Sequence, residues 1–475
     1  MTLRLYDTAT RTVRPFEPLV PGHAGVYVCG PTPQAEPHVG HLFSAVTLDV
    51  LHRWLLAKDL AVTFVRNVTD VDDKIINTSA ANDEPWWALA TRQERAFTQA
   101  YDAVGVLAPT ATPRVSGSIG GIVTLITRIV ERGHAYAADG DVWLSVASDP
   151  SYGSLSGQDP EQLREGEQVP GKRAAADFAL WKSAKPDEPS WDSPWGPGRP
   201  GWHIECSAMA LAHLGETFDL HAGGLDLVFP HHENEIAQSR SAGYGFARHW
   251  VHNGLLSLAG ETSKMSKSLG NVVTVRGVLA EHRPAVLRYA LGTAHYRSPL
   301  TWGPTTLTEA ATAYARIETF VRNALAVTSG IEPGPSSAWD AFEEAMDDDL
   351  GVPAALAVVH TAVRTGNTQL ADGDLPGLAA TLSDVRRMLV VLGLDPVTHW
   401  PAPAGDLAPV VEALVSTVVD ARTAARARKD WAQADTLRDG LAAAGVVLED
   451  TAAGVRWRLD QPSTPSTNTE QGAQQ

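Results

Sequence analysis

Two short stretches of this chain carry residue types that handle phosphate and its leaving groups. The first is Pro37-His38-Val39-Gly40-His41, which opens an apolar-periodic run. On a helix the two imidazoles, three positions apart, share one face of the first turn, and Gly40 between them lets a ligand ring come close. A helix N-terminus also offers free N–H groups and positive dipole, which suits a nucleotide triphosphate. The second is Lys264-Met265-Ser266-Lys267-Ser268-Leu269-Gly270-Asn271. Its two lysines and two hydroxyls sit on a small-residue loop that can close over pyrophosphate and stabilise charge as it leaves. Either stretch alone could be solvated surface, a histidine pair or a basic turn; their order in one chain makes each support the other.

A third constellation is softer in character. The chain has only two cysteines. Cys29 ends the apolar run Gly25-Val26-Tyr27-Val28, and Cys206 closes Gly201-Trp202-His203-Ile204-Glu205. His231 and Glu235, in Phe229-Pro230-His231-His232-Glu233-Asn234-Glu235, are four apart and face the same way on a helix. Cys29, Cys206, His231 and Glu235 together make a set fit for one tetrahedral zinc ion, though their spacing is unlike a zinc knuckle, whose cysteines come in close pairs. Because Cys29 directly precedes the nucleotide loop, a metal there would meet substrate. Zinc prefers a thiolate to a hydroxyl, so a metal there would favour a ligand that carries a thiol over one of the same shape that carries a hydroxyl. The plainer alternative is two inert core cysteines and a solvated His-His-Glu face.

His38-x-Gly40-His41 and the Lys264–Ser268 loop resemble the two signatures of class I aminoacyl-tRNA synthetases. That resemblance implies a split Rossmann domain, ATP activation of an amino acid to its adenylate, and transfer to the terminal ribose of tRNA. From Leu5 to Leu459 the chain is similar to the cysteinyl-tRNA synthetases in particular, through Arg66-Asn67-Val68-Thr69-Asp70, Gly198-Arg199-Pro200-Gly201-Trp202-His203, His221-Ala222-Gly223-Gly224-Leu225-Asp226 and His295-Tyr296-Arg297-Ser298. The resemblance implies that His38, His41, Lys264 and Lys267 are catalytic, and that Gly40, Gly223, Asp226 and Lys267 bind ATP. It further implies that Thr69, Trp202 and His221 line a pocket for L-cysteine, with one zinc per subunit and magnesium accompanying ATP. Two departures stand out. Pro33-Gln34-Ala35 replaces the family's usual Val-Tyr-Asp, and Thr262-Ser263 lengthens the lysine loop.

These groups need rigid elements to hold them. The Gly25–Gly30 run reads as a buried strand, His41–Leu56 as a helix, and Ala61–Val68 as a second strand, a parallel βαβ unit. The expected fold class is α/β: a split Rossmann-type parallel-sheet catalytic domain with a connective insertion, then an all-α helical bundle and a small C-terminal domain. The expected parts are residues 1–112 and 201–255 as the two Rossmann halves, 113–200 as the insertion, 256–305 as the lysine-loop segment, 306–400 as the bundle and 405–460 as an anticodon-binding domain. Within the insertion Asp139-Gly140 signals a hairpin. Glu188 to Trp202, with four prolines, reads as mostly loop. The Ser/Thr/Pro/Gln-rich residues 461–475 lack large apolar side chains and are expected to be disordered.

Arg422, Arg426, Arg428 and Lys429 precede Asp430-Trp431-Ala432-Gln433-Ala434-Asp435 in a stretch similar to the family's anticodon-binding domain. The similarity implies tRNA(Cys) contacts at Arg428, Lys429, Trp431 and Asp435, and arginines beside a tryptophan suit phosphates and unpaired bases. A net charge of -17 argues against general polyanion affinity, so such contact must be local. No apolar run approaches the roughly 18 residues of a membrane span, and with so few cysteines a cytoplasmic address is expected. No obligate protein partner is evident. Two rivals are a ligase that hands activated cysteine to an amino sugar, which would lack the C-terminal unit, and a silent paralogue that binds without chemistry.

Overall fold

The computed structural model describes residues 2–159, 170–259, 272–400, 408–451 and 454–459. The lysine loop with Lys264 and Lys267, its Thr262-Ser263 extension, the break at Pro401–Ala404 and the tail 461–475 lie outside the described residues. The chain divides into two units, Met1–Trp400 and Pro401–Gln475.

The first unit is organised by a four-stranded parallel sheet. Its order is Ala247–Asn253, Phe218–Gly224, His23–Val28, Ala61–Arg66. The middle strands are buried on both faces, as a parallel sheet covered by helices requires. From His23–Val28 the chain runs through the helix Val39–Ala57 to Ala61–Arg66 on one side. Only after the intervening residues 67–217 does it return to the other side, at Phe218–Gly224. Strand order therefore reverses at His23–Val28, and the crevice beyond the carboxyl ends of such strands is where open α/β sheets bind ligands. Cys29 and Gly30 emerge there.

One apolar layer joins Val26, Val28, Leu51, Trp54 and Phe64 to Tyr314, Phe320 and Phe342 of the helical region. The opposite layer holds Tyr27, Val65, Met209, Ile236 and Trp250 around Cys206. Trp54 is fully buried, and truncating a side chain of that size to Ala costs about 3–5 kcal/mol. The helical region runs through Thr306–Thr328, Ala338–Asp347, Val352–Asp372 and Leu375–Leu392.

Between the two halves of the parallel sheet lies a four-stranded antiparallel sheet: Ala135–Ala138, Asp141–Leu144, Phe178–Ser183 and Gly198–Pro200, in that order. The Asp139-Gly140 hairpin is present, with both residues at positive φ, 54° and 88°. Glu188–Trp202 is mostly loop as expected, but its end, Gly198–Pro200, is a short strand paired with Phe178–Ser183. A proline is tolerated there because the strand lies at the sheet edge, where no partner needs its missing N–H.

In the second unit the helices Ala408–Ala427 and Trp431–Ala443 accompany an antiparallel hairpin, Val446–Thr451 with Gly454–Leu459. Val415, Leu441 and Val446 form its small core.

Candidate functional site

The crevice at the reversal point opens into a cavity of about 610 Å³. One wall is the start of the Val39–Ala57 helix. His38 is its N-cap: its Nδ1 accepts the Gly40 N–H at 3.1 Å, while the His41 Nδ1 accepts the His38 N–H at 3.2 Å. The rings stack with centroids 3.7 Å apart. With both Nδ1 atoms used as acceptors, each neutral ring carries its hydrogen on Nε2, and the pair is fixed as donors. Gly30 holds the loop before this helix. Its N–H bonds the Asn67 side chain at 2.8 Å, and a Cβ there would lie 1.6 Å from the Asn67 carbonyl oxygen.

The opposite wall carries the soft donors. Cys29 follows the central strand, Cys206 lies in the helix Ile204–Leu214, and His231 and Glu235 flank the start of Glu233–Ser241, after a cis Phe229–Pro230 bond. The two sulfurs are 3.7 Å apart, Cys29 Sγ is 3.4 Å from Glu235 Oε1, and His231 Nε2 is 3.0 Å from the same oxygen. Tetrahedral zinc with bonds of about 2.3 Å to sulfur and 2.0–2.2 Å to nitrogen or oxygen places its donors roughly 3.3–3.8 Å apart, so the two distances to sulfur fit, while the hydrogen-bonded His231–Glu235 pair would have to open by a few tenths of an ångström, about what replacing a shared proton by a metal requires. Cys29, His221, His232 and Glu235 form a second possible quartet. The first opens on the cavity through Cys29, Cys206 and His231, whereas His221 and His232 do not line it.

The charges within the set are strongly coupled. Burial pushes the Cys29 thiol well above its usual range, and its contact with Cys206 adds to this. Burial would raise Cys206 as well, but the hydrogen bond from Cys29 and the nearby His231 bring it down to about 6. His231 is pushed up to about 10 against the cost of burial, first by Glu235 and then by Cys206. Burial opposes ionisation of Glu235 too, yet His221 and His231 hold its carboxyl at about 2. Thiolate and carboxylate thus set two negative charges against one imidazolium, which favours a cation among them, and a metal ligated by His231 would displace its proton.

Residues that sequence reading passed over support this set. His203 Nδ1 lies 2.9 Å from His231 Nδ1, and burial, then the His231 charge, keeps His203 neutral. It therefore accepts from His231 Nδ1–H and turns His231 Nε2 toward the cysteines and Glu235, an arrangement that would orient a metal-ligating histidine. Glu205 accepts from the Thr69 hydroxyl at 2.6 Å. Neither role has a signal in spacing alone.

Of the remaining expected residues, Gly40, Thr69, Trp202 and Asp226 line the cavity, and the Trp202 ring stacks on His231 at 4.4 Å. Gln34 and Ala35, from the departing Pro33-Gln34-Ala35 segment, line it too. His221 stands behind, its Nε2 2.8 Å from Glu235 Oε2. Gly223 also lies back from the cavity lining, and a Cβ on it would meet the His232 ring at 2.9 Å. In the second unit Arg428, Lys429, Trp431 and Asp435 are all exposed; Arg428 bonds Gln433 at 3.2 Å and Asp435 pairs with Arg438 at 3.1 Å.

Residues 15–312 match the model of the class I (C) tRNA synthetase catalytic domain, residues 341–394 the DALR domain, and residues 406–458 the cysteinyl-tRNA ligase anticodon binding domain. A cysteine–tRNA ligase of Streptomyces avermitilis is 53% identical over 97% of this chain and 99% of its own. The chain belongs to the cysteine–tRNA ligase family. Another member, from Beutenbergia cavernae, is 54% identical over 97% of this chain and 99% of its own. In fold the chain is similar to Mycobacterium tuberculosis methionyl-tRNA synthetase, with a TM-score of 0.60 at 17% identity over 81% of this chain and 92% of that one. Among the described residues no helix is long and apolar enough to cross a membrane.

Proposed function

We propose that this cysteine–tRNA ligase activates L-cysteine with ATP and passes it to the 3'-terminal adenosine of tRNA(Cys), in the cytoplasm, with one zinc per subunit held by Cys29, Cys206, His231 and Glu235. The observation that carries this reading is that two thiols and an imidazole open on the same cavity as a histidine-capped helix N-terminus, with the buried Glu235 carboxylate directly behind them.

Zinc held there would accept the substrate's thiol as thiolate, which serine cannot offer equally. Trp202, stacked on His231, and Thr69, held by Glu205, flank the position of the substrate's backbone end. His38 and His41 present Nε2–H donors beside the helix N-terminus, where they stabilise negative charge on the phosphates as the carboxylate attacks. Lys264 and Lys267 supply positive charge for the leaving pyrophosphate, and magnesium accompanies ATP. Gly40, Gly223 and Asp226 belong to the nucleotide side. His221 acts through Glu235 in this reading. Arg428, Lys429, Trp431 and Asp435 contact the tRNA.

The test supplies labelled cysteine, ATP, magnesium and zinc to the purified chain with tRNA bearing the cysteine anticodon. Label on that tRNA is the expected result. Cysteine-dependent pyrophosphate exchange without charging would favour an amino-sugar acceptor, and neither activity would favour a silent paralogue.

A further inference from the structure

Side chains alternate along His23–Val28, so Tyr27 shares its face with Cys29 and not with Val26 and Val28. Those valines pack in one apolar layer and Tyr27 in the other, the layer of Cys206. In the parallel register Tyr27 stands opposite His221, with ring centroids 5.3 Å apart. The ring is fully buried, and its hydroxyl satisfies no hydrogen bond of ordinary geometry.

A buried O–H without an acceptor is uncommon, and phenylalanine would fill the same space without one. The polar groups that act most strongly on this hydroxyl are the Cys206 sulfur, the Cys29 sulfur and the Glu235 carboxylate, with Cys206 foremost. A phenol keeps its O–H at neutral pH and so is available as a donor. A thiol is a weak acceptor. A thiolate, the form in which cysteine ligates a metal, is a strong one.

We propose that Tyr27 is a positioning residue for the metal, its hydroxyl donating a hydrogen bond to the Cys206 sulfur once that sulfur is a metal-bound thiolate. This rests on the zinc reading given above. The hydrogen bond aims the sulfur lone pair and draws charge from it, which leaves the metal more electron-poor and better able to hold a substrate thiolate. Cys29, at the end of the strand, is the more exposed of the two thiols, so the two sulfurs differ in what they offer the metal.

Tyr27→Phe in the full chain tests this, with folding checked by circular dichroism. Zinc affinity, measured by competition with a chromophoric chelator, is expected to fall about 10–100-fold. In the cobalt-loaded protein the thiolate-to-metal charge-transfer band is expected to move to longer wavelength, a change that loss of packing alone would not produce. If the wild type binds no zinc, or Cys206→Ser binds it equally well, the metal reading falls and this proposal with it. If Cys206→Ser loses zinc while Tyr27→Phe keeps both the wild-type affinity and the wild-type band, Tyr27 has no such role and the metal reading stands.

Discussion

Asp49, inside the Val39–Ala57 helix, is a buried charge at the cavity wall, and replacing it with asparagine tests how the first unit holds that helix in place. Its carboxylate accepts from Arg288 Nη2 at 2.5 Å, Arg53 Nε at 2.7 Å and the Leu107 N–H at 2.7 Å, with no exposure of the side chain. Arg288 donates onward to the carbonyls of Leu392 at 2.8 Å and Val104 at 3.0 Å. An amide of the same size removes the negative charge and leaves two buried guanidinium groups facing a dipole. Breaking a buried pair from one side costs about 3–5 kcal/mol. Asp49→Asn should fall at the lower end, because Arg288 keeps its carbonyl acceptors. Arg288→Met should cost more, since it strands those carbonyls as well, at about 1–3 kcal/mol for each buried group left unpaired.

The pH dependence has a definite sign. Burial would raise the Asp49 carboxyl, but the charges of Arg288 and then Arg53 hold it below the ordinary value. A depressed folded value contributes stability above the unfolded pKa of about 3.9, lost as pH falls through the folded value. The gap between wild type and Asp49→Asn should therefore be constant from neutral pH down to about 5 and narrow below about 4. Urea unfolding read by tryptophan fluorescence measures it as a shift of midpoint at unchanged slope. An Asp49→Asn midpoint equivalent to less than about 1 kcal/mol of loss, or an Arg288→Met variant more stable than Asp49→Asn, would refute the reasoning.

Gly30→Ala should abolish pyrophosphate exchange while leaving most of the fold, because the added carbon collides with the Asn67 backbone and not with a movable side chain; exchange above about a tenth of wild type, a barrier change of about 1.4 kcal/mol, would contradict this. In the second unit, Trp431 is 58% exposed on a helix start that follows Arg428 and Lys429. Trp431→Ala, and neutralisation of Arg428 and Lys429, should weaken tRNA binding without changing cysteine-dependent pyrophosphate exchange. Stacking on a base is worth about 1–3 kcal/mol, and each lost phosphate contact should flatten the salt dependence of binding. Unchanged tRNA affinity at two salt concentrations would remove these residues from the interface.

Much of the site was legible because its chemistry rests on rare residue types. With only two cysteines in the chain, Cys29 and Cys206 were the only thiols that a soft cluster could draw on, and the i,i+4 spacing of His231 and Glu235 is a local property that a helix turns directly into proximity. The His38/His41 pair was legible for the same reason. What spacing could not convey is pairing at long range. Asp49 and Arg288 meet across 239 positions, and Thr69 and Glu205 across 136. Each residue alone looks like an ordinary polar or charged residue of a helix or loop. His203 was quoted within a motif yet given no role, because its value lies in which nitrogen faces His231. The Gly198–Pro200 strand was hidden by proline content, since local propensity says nothing about which edge of a sheet a segment joins.

The central claim is that Cys206 holds a metal that selects the substrate, and cysteine-dependent pyrophosphate exchange in Cys206→Ser, with zinc content measured on the same preparation, tests it most directly. Loss of zinc together with loss of exchange, while ATP binding persists, is the predicted result. Wild-type exchange in a Cys206→Ser protein that has lost its zinc would contradict it.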